Sequence, residues 1–382
     1  MLGVDLLEQA KSWRHDLHAH PELGYQEVRT SQMVAQLLER FGLEVTCGVG
    51  GTGVVGVLEN GAGPRIGLRA DMDALPMEEL GKRGWTSGNK GCMHACGHDG
   101  HTSILLATAK HLSETRDFSG RIVFIFQPAE ETGAGARKML EDGLLQRFPL
   151  DVIYALHNWP GMRKGEVMVN PGAMMASQDT FDITLTGAGC HAAMPDKGID
   201  PVVAAAHLTT SLQAIVSRTL SPLDSAVVSI TGIEAGGAYN IIPERVHMRG
   251  TVRCLNPETR AKVEQSIRQF VLHLPMAFGI AGAIEYRAGY PVAVNDAEAA
   301  QRVREAAEVV DGITKVHWST PPSMGSEDFS YFLEAVPGAY FWLGADGETP
   351  SAALHNPFYD FNDDLIGLGI KIFASLVKRG LD

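Results

Sequence analysis

The segment RIVFIFQPAEETGAGARKMLEDGLLQRFPLDVIYALH, residues 121–157, indicates which kind of sheet the chain forms. Its two ends, 121–127 and 152–157, are short apolar runs typical of buried strands. Between them, the spacing of apolar residues predicts a helix over 134–140. A strand, a helix and a second strand in this order favour two parallel strands with the helix packed on the sheet.

The same alternation continues towards both ends of the chain. Apolar runs at 54–58 and 65–69 flank a glycine-containing turn at 60–63, and this pattern predicts a β-hairpin. We therefore expect an α/β fold with a mixed, largely parallel sheet flanked by helices. The other elements predicted for it are helices over 5–18, 27–41, 101–112, 296–310 and 362–379, and a strand over 339–343.

Residues 179–291 follow a different pattern, which predicts an inserted domain. The order of elements is βαββαβ, which suits an α+β ferredoxin-like sandwich. A discontinuous catalytic domain, 1–178 plus 292–382, would then surround a lid and dimerisation domain, and active sites commonly form at such junctions. The elements predicted for the insertion are strands 179–186, 225–235, 245–254 and 282–287 and helices 200–218 and 257–277.

The composition of the chain indicates which binding partners and which cellular compartment to expect. A formal net charge of -13 over 382 residues disfavours nucleic acid and anionic membranes, because both would be repelled. The N-terminus lacks the pattern of an export signal, and we expect a cytoplasmic protein. Five scattered cysteines, an odd number, argue against a disulfide framework and favour a thiolate ligand or a nucleophile.

The segment CMHACGHDGH, residues 92–101, concentrates potential metal ligands. Cysteine and histidine side chains suit Zn, Mn, Co or Ni. Gly97 would let Cys96 and His98 face the same ion, since glycine adopts backbone angles that other residues avoid. Buried thiols and helix-capping polar groups are the alternative explanation for each of these residues taken singly.

Two adjacent carboxylates, Glu130 and Glu131, follow the strand predicted at 121–127. Ligands gather at the carboxyl ends of strands in open α/β sheets. Neighbouring extended residues point in opposite directions, so one glutamate can hold a metal while the other serves as general base. A glutamate pair after a strand is also typical of a solvated turn.

Two further histidines extend the set of ligands. His157 ends the strand predicted at 152–157, and His355 lies in a Leu-His-Asn-Pro segment. Either one alone can be explained as a core histidine. Together, the candidates are too many for one catalytic zinc with an open position and suit two ions that share a bridging thiolate and a water: Cys96, His98, Glu131, His157 and His355.

The chain resembles the aminoacylase family of co-catalytic, metallopeptidase-like amidohydrolases, which includes hippurate hydrolases and auxin-conjugate hydrolases. The likeness runs from about residue 10 to 378. It rests on motifs that occur in the expected order, namely HAHPEL (18–23), RADMDALP (69–76), MHACGHDGH (93–101), QPAEE (127–131), YNIIP (239–243) and GSEDF (325–329). The resemblance implies a zinc-exopeptidase-like catalytic domain and a homodimer formed through the lid.

The resemblance also implies roles for particular residues. Cys96 would bridge two divalent ions, His98, Glu131, His157 and His355 would complete the two sites, and Glu130 would be the general base. In the lid, His191 would stabilise the oxyanion, in its own active site or in that of the partner subunit, and Asn240 would contact the substrate. Two residues depart from the family pattern, because Asp196 stands where histidine is common and Cys190 where glycine is usual.

The remaining candidates surround these residues. We predict that Asp71 and Asp73 orient metal ligands through hydrogen bonds, although a turn or capping role also fits them. Arg253, on a lid strand, can bind a substrate carboxylate, as can Arg249, although exposed arginines on strands are usually solvated. Glu327, in the motif at 325–329, is a further predicted substrate contact.

The predicted function is cleavage of the amide bond in N-acyl-L-amino acids. The alternatives within the same chemistry are a dipeptidase and a deacetylase of an N-acetylated biosynthetic intermediate. A nucleotide-binding oxidoreductase is suggested formally by G-x-G-x-x-G at 48–53, but the residues that follow predict a strand rather than the required helix. A cysteine hydrolase that uses Cys96 and His98 and a non-catalytic binding protein are further alternatives.

Overall fold

The computed structural model describes residues 2–380. The helices are α1 (Val4–Ala19), α2 (Val28–Arg40), α3 (His98–Thr115), α4 (Glu130–Gly133), α5 (Gly135–Glu141), α6 (Leu144–Arg147), α7 (Pro201–Ala214), α8 (Pro257–His273), α9 (Ala297–Glu308), α10 (Ser330–Ala335) and α11 (Asp364–Arg379). The strands are β1 (Glu44–Val49), β2 (Gly53–Asn60), β3 (Arg65–Asp71), β4 (Gly120–Gln127), β5 (Val152–Arg163), β6 (Glu166–Val169), β7 (Gly172–Met175), β8 (Asp179–Thr186), β9 (Cys190–His191), β10 (Ala226–Ala235), β11 (Ile241–Ile242), β12 (Arg245–Cys254), β13 (Ala281–Ala288), β14 (Ala293–Asn295), β15 (Lys315–Trp318) and β16 (Gly338–Asp346). No helix among the described residues is both long and apolar enough to cross a bilayer.

The chain divides into two compact units. The first contains the segment up to Met174, Ala293–Pro321 and the chain from Glu327 onward, and the second contains Met175–Val292 and Pro322–Ser326. The short segment Pro322–Ser326 belongs to the second unit because the backbone N–H of Ala176 donates to the carbonyls of Ser323, at 3.1 Å, and Gly325, at 2.8 Å. The sequence pattern predicts this segment in the first unit, because nothing in the local sequence indicates its pairing with Ala176.

The first unit is built on an eight-stranded sheet in the order β1-β2-β4-β3-β5-β16-β6-β15. The central pairs β4-β3, β3-β5 and β5-β16 are parallel, and so is β6-β15 at one edge. Helices α1, α3, α9 and α11 contribute apolar faces to the core of this unit. The predicted fold class, a mixed and largely parallel sheet flanked by helices, is confirmed.

The predicted hairpin between 54–58 and 65–69 is wrong. Strand β4 lies between β2 and β3, antiparallel to β2 and parallel to β3. Both edges of β4 therefore pair with strands more than 50 residues earlier in the chain, as the pairs Val55↔Ile125 and Leu68↔Phe124 show. A turn signal reports only local geometry, whereas the buried and continuously apolar β4 requires partners on both sides.

The glycine-rich stretch at 48–53 connects two antiparallel strands. Strands β1 and β2 pair directly, with a register shift between Cys47 and Val49. No helix follows these glycines, because β2 begins at Gly53. A dinucleotide loop requires a strand, the glycines and then a helix N-terminus, so the geometry does not support the oxidoreductase alternative.

The second unit has the βαββαβ order predicted for it. Its sheet runs β10-β12-β8-β13, with antiparallel pairing throughout. Helices α7 and α8 supply Leu208, Val263 and other apolar residues to a core shared with the sheet. The helix predicted over 200–218 changes to a π-helical turn at Ile215–Thr219, and the helix predicted over 257–277 ends at His273, shortly before Pro275.

Candidate metal and catalytic site

The candidate site lies where parallel strands of the first unit end. Strand β3 ends at Asp71, β4 leads into Glu130, and β5 carries His157. The segment 92–97 then leads into α3, whose first residue is His98. Because the ends of parallel strands meet at one edge of the sheet, residues far apart in the chain converge there.

Backbone geometry positions the loop that carries Cys96. Gly97 has φ +95°, and a Cβ at this position would lie 2.1 Å from the Oδ1 atom of Asn158 and 2.8 Å from the hydroxyl of Tyr359. Only glycine fits such a left-handed, crowded position. His355 also has a left-handed backbone, with φ +61°, and its N–H donates to the carbonyl of Ala95 at 2.8 Å. The loop and the distant His355 are therefore joined directly.

The five predicted metal ligands come together. The Sγ atom of Cys96 lies 3.4 Å from Nε2 of His157, and Oε1 of Glu131 lies 3.3 Å from Nε2 of His355. Ligand atoms within 4.8 Å of one another form two overlapping sets, Cys96 with His98 and His157, and Cys96 with Glu131 and His355. Two sets that share one cysteine have the arrangement that a thiolate bridging two ions requires.

The tautomers of two histidines follow from their backbone partners. Nδ1 of His98 donates to the carbonyl of Asp73 at 2.8 Å, and Nδ1 of His157 donates to the carbonyl of Asn158 at 2.6 Å. The Nε2 atom of each ring is thereby directed into the site, where it could bind a cation.

Nε2 of His98 and Oε1 of Glu131 are buried and have no hydrogen-bond partner among the described residues, since the 3.3 Å contact of this oxygen with His355 is an ion-pair distance without hydrogen-bond geometry. A buried polar atom left unpaired costs about 1–3 kcal/mol. A divalent cation would satisfy both atoms, so the donor set fits a metal.

Asp73 connects the histidine to the glutamates. Its carboxylate accepts the backbone N–H groups of Glu130 and Glu131, both at 3.0 Å, while its carbonyl holds His98. Asp71 instead accepts from Nδ1 of His101 at 2.6 Å and lies 3.7 Å from Nε2 of His98. Asp71, His98 and His101 form a further set that can hold a cation.

The site is strongly anionic, which favours cations. Burial alone opposes the charged form of His98, but the carboxylates of Asp71, Asp73 and Glu131 outweigh it and raise its pKa to about 10. Burial, together with the charges of Glu131 and Glu130, raises the pKa of the Cys96 thiol well above its usual range. A nucleophilic cysteine needs a lowered pKa, so these surroundings argue against a cysteine hydrolase and favour a thiol that ionises when a cation binds.

Glu130 is buried among other carboxylates. Ala129, which precedes it, has a left-handed backbone with φ +51°, and the backbone N–H of Asp328 donates to Oε1 of Glu130 at 3.3 Å. Burial, followed by the charges of Glu327 and Glu131, raises the pKa of the Glu130 carboxyl well above its usual range. A carboxylate with a raised pKa is suited to proton transfer near neutral pH.

The carboxylate of Glu327, a predicted substrate contact, is bound by other side chains, and its contact with the substrate remains a prediction. Glu327 is buried, and its Oε1 accepts from Arg69 at 2.9 Å while its Oε2 accepts from the Tyr340 hydroxyl at 2.8 Å. Arg69, also buried, bonds Asp71 and Asp328 as well. Glu327 is thus part of an ion-pair network that borders Glu130, and the sequence could not show that its carboxylate is already engaged.

The predicted lid residues lie in the second unit. His191 on β9 pairs with Ile241 on β11, and the N–H of Ala192 donates to the carbonyl of Asn240 at 2.9 Å, so His191 and Asn240 are neighbours. Arg253 donates to the Thr251 hydroxyl on its own strand at 2.5 Å. The roles of His191, Asn240 and Arg253 in catalysis or binding remain predictions.

The two unusual lid residues have local partners. Cys190 packs against Gly198, where a Cβ would lie 2.6 Å from its Sγ atom. Asp196 forms an exposed ion pair with Lys197 at 3.0 Å. The side chain of Cys190 therefore fills the space that a side chain at Gly198 would otherwise occupy.

Several supporting residues were missed at the sequence level. His101 lies between Asp71 and Asn158, with its Nε2 2.7 Å from Oδ1 of Asn158, and Asn158 in turn donates to the Tyr359 hydroxyl at 2.6 Å. His101 belongs to the segment 92–101, and its position one helical turn after His98 could have indicated it. Nothing in the sequence indicates that Tyr359 lies beside Gly97.

A second buried network supports the start of α3. Asp99, which follows the ligand His98, forms an ion pair with Arg14, whose Nε lies 2.9 Å away, and accepts from Nδ1 of His18 at 2.8 Å. Nε2 of His18 lies 3.3 Å from Glu79. Burial opposes protonation of His18, but the hydrogen bond and charge of Asp99 outweigh it and raise its pKa to about 9.

The His18 network predicts a pH-dependent stability. Because the pKa of His18 is about 9 in the folded protein and 6.5 unperturbed, its stabilisation is fully present below pH 6.5 and is lost as the pH rises through 9. We expect a contribution on the order of 3 kcal/mol. In metal-free protein, the drop in melting temperature between pH 6.5 and pH 9 should be smaller for His18→Gln than for the parent, whereas a variant of the exposed His20 should behave like the parent. Equal drops for His18→Gln and parent would refute this assignment.

Comparison with known proteins gives matches over most of the chain. The model of peptidase family M20/M25/M40 matches residues 67–379. The chain is 41% identical over 379 residues to hippurate hydrolase of Campylobacter jejuni. This alignment covers 99% of the present chain and 98% of that protein. It is 38% identical over 366 residues to N-acetylcysteine deacetylase of Bacillus subtilis, with coverage of 95% and 94%.

A solved structure shows the same fold across the whole chain. It is a dinuclear metal-binding peptidase of family M20 from Bacillus subtilis, 34% identical, with a TM-score of 0.87 and coverage of 99% of both chains. The likeness in sequence and in structure therefore extends over almost the full length. The chain belongs to peptidase family M20/M25/M40 and is a metal-dependent amidohydrolase.

Proposed function

We propose that this protein hydrolyses the amide bond of N-acyl-L-amino acids and releases a carboxylic acid and a free amino acid. The observation that carries the proposal is the pair of ligand sets sharing Cys96, with the buried carboxyl of Glu130 beside them. Hippurate hydrolase and N-acetylcysteine deacetylase, both relatives over nearly the full length, carry names that describe this type of bond.

Two divalent ions would be held by Cys96, His98, Glu131, His157 and His355. Thiolate, imidazole and carboxylate together accept Zn, Mn, Co or Ni. When bound, such ions lower the pKa of water and polarise the amide carbonyl.

Glu130 would carry the proton between the two halves of the reaction. It takes the proton from the attacking water and passes it to the nitrogen of the leaving amino acid, so that the amide C–N bond breaks without a charged amine anion forming. Asp73 orients Glu130 through the backbone N–H groups that it accepts. His191 of the second unit is the proposed donor to the oxyanion, a role whose loss typically lowers the rate about 10²–10³-fold.

The test is a substrate panel assayed with defined metal content. The purified protein is treated with a chelator, dialysed, and assayed after addition of Mn, Zn, Co or Ni with N-benzoyl, N-acetyl and indole-acetyl amino acids and with dipeptides. We expect no measurable turnover in the metal-free protein and recovery with at least one ion, with N-acyl amino acids preferred over dipeptides. Turnover that survives chelation would overturn the metal mechanism, and a preference for dipeptides would favour the peptidase alternative.

A further inference from the structure

A pair of stacked tryptophans lies beside the metal ligand His157. The rings of Trp159 and Trp342 are 3.7 Å apart between centroids and 3° from parallel. Trp159 follows His157 by two residues on β5, so both side chains point to the same face of the sheet. Trp342 is the direct partner of His157 on β16, and the ring of Trp159 lies 6.2 Å from that of His157.

The two tryptophan side chains differ in their exposure to solvent. Trp342 is 3% exposed, and its indole Nε1 has no hydrogen-bond partner among the described residues, so stacking and packing alone hold the ring. Trp159 is only partly buried. One of its faces is covered by Trp342, and the partly exposed ring lies 6.2 Å from that of the metal ligand His157.

From this arrangement, and resting on the proposed function, we propose that Trp159, backed by Trp342, binds the acyl group of the substrate and makes the enzyme selective for flat aromatic acyl groups over acetyl. An aromatic ring that stacks on an indole face gains binding free energy beyond that expected from the area it buries. An acetyl group has only a methyl to place against the ring and cannot stack. A preformed surface also avoids the loss of side-chain freedom on binding, because the stack already holds Trp159.

The test compares substrates that share a leaving group. N-benzoylglycine and N-acetylglycine are assayed with metal-loaded parent, Trp159→Ala, Trp159→Phe and Trp318→Ala. Trp318 is a matched control, since it is a partly buried tryptophan on β15 at the far edge of the sheet, where Arg304 lies over its ring at 5.3 Å.

The parent should prefer the benzoyl substrate. Trp159→Ala should lower kcat/KM for this substrate about tenfold, chiefly by raising KM. For the acetyl substrate, the same substitution should change kcat/KM by less than about twofold. Trp159→Phe should retain most of the selectivity, and Trp318→Ala should leave it unchanged. Metal content, measured by elemental analysis, should equal that of the parent in all variants.

Binding of the product acids gives a readout that does not depend on turnover. By calorimetry with metal-loaded protein, benzoate should bind the parent more tightly than acetate, and Trp159→Ala should remove that difference. The proposal is overturned if both substrates or both acids are affected equally by Trp159→Ala, or if the parent prefers acetyl. A parent that binds benzoate through Trp159 but hydrolyses no N-acyl amino acid would instead contradict the proposed function.

Discussion

Glu130→Gln should lower kcat for N-acyl amino acid hydrolysis about 10²–10⁴-fold while the protein keeps its metal. Glutamine has nearly the same shape as glutamate but cannot accept the proton of the attacking water. Glu130 is in neither ligand set that shares Cys96, so the proposed coordination does not use it, although it forms a further possible set with His98 and Glu131. The burial and neighbouring carboxylates that raise the pKa of Glu130 prepare it for proton transfer.

The neighbouring glutamate is the matched control. Glu131→Gln changes the same chemical group one residue away, but Glu131 lies in the set with Cys96 and His355. We expect Glu131→Gln to lose bound metal, as measured by elemental analysis after dialysis, and Glu130→Gln to retain it. If Glu130→Gln lost metal, Glu130 would be a ligand, and a parental rate in this variant would exclude it as the base.

Gly97→Ala should lower metal affinity at least about 10–100-fold, with a matching loss of activity, although alanine adds a single methyl group. The backbone at Gly97 is left-handed, and the new Cβ would lie 2.1 Å from Oδ1 of Asn158. Asn158 follows the ligand His157, whose Nδ1 donates to the Asn158 carbonyl, so displacing Asn158 also displaces a ligand. Cys96 and His98, which flank the substitution, would move as well.

Gly91→Ala is the control that distinguishes the effect of backbone strain from the effect of the steric clash expected at Gly97. Gly91 also has a positive φ, +73°, but a Cβ there would meet no atom within 4 Å. Alanine at Gly91 should therefore reduce stability modestly, by about 1 kcal/mol, and leave metal affinity unchanged. Metal titrations of the two variants, with melting temperatures as the check on folding, make the comparison. Equal metal affinity in parent and Gly97→Ala would show that the loop does not need the close approach to Asn158.

Metal chemistry could be predicted from the sequence because its signals are local. Cys96 and His98 lie within ten residues of other potential ligands, and Glu130 directly follows an apolar strand, so residue type and spacing were sufficient to select them. The parallel sheet was predictable for a similar reason, since alternating strands and helices leave few ways to bury both faces. His157 and His355 needed the ligand count and the family resemblance, because a lone histidine at the end of a strand has no distinctive pattern.

Only the tertiary structure decided which residues meet across the chain. The hairpin prediction failed because β4, from a later segment, pairs with both β2 and β3. The carboxylate of Glu327 is bound by Arg69 and Tyr340, which are 258 and 13 residues away in sequence. The tryptophan stack likewise joins two strands whose sequences carry no sign of each other. A sequence records the chemistry of each side chain, but long-range burial and pairing depend on how distant segments fill a common core, and local patterns do not encode that choice.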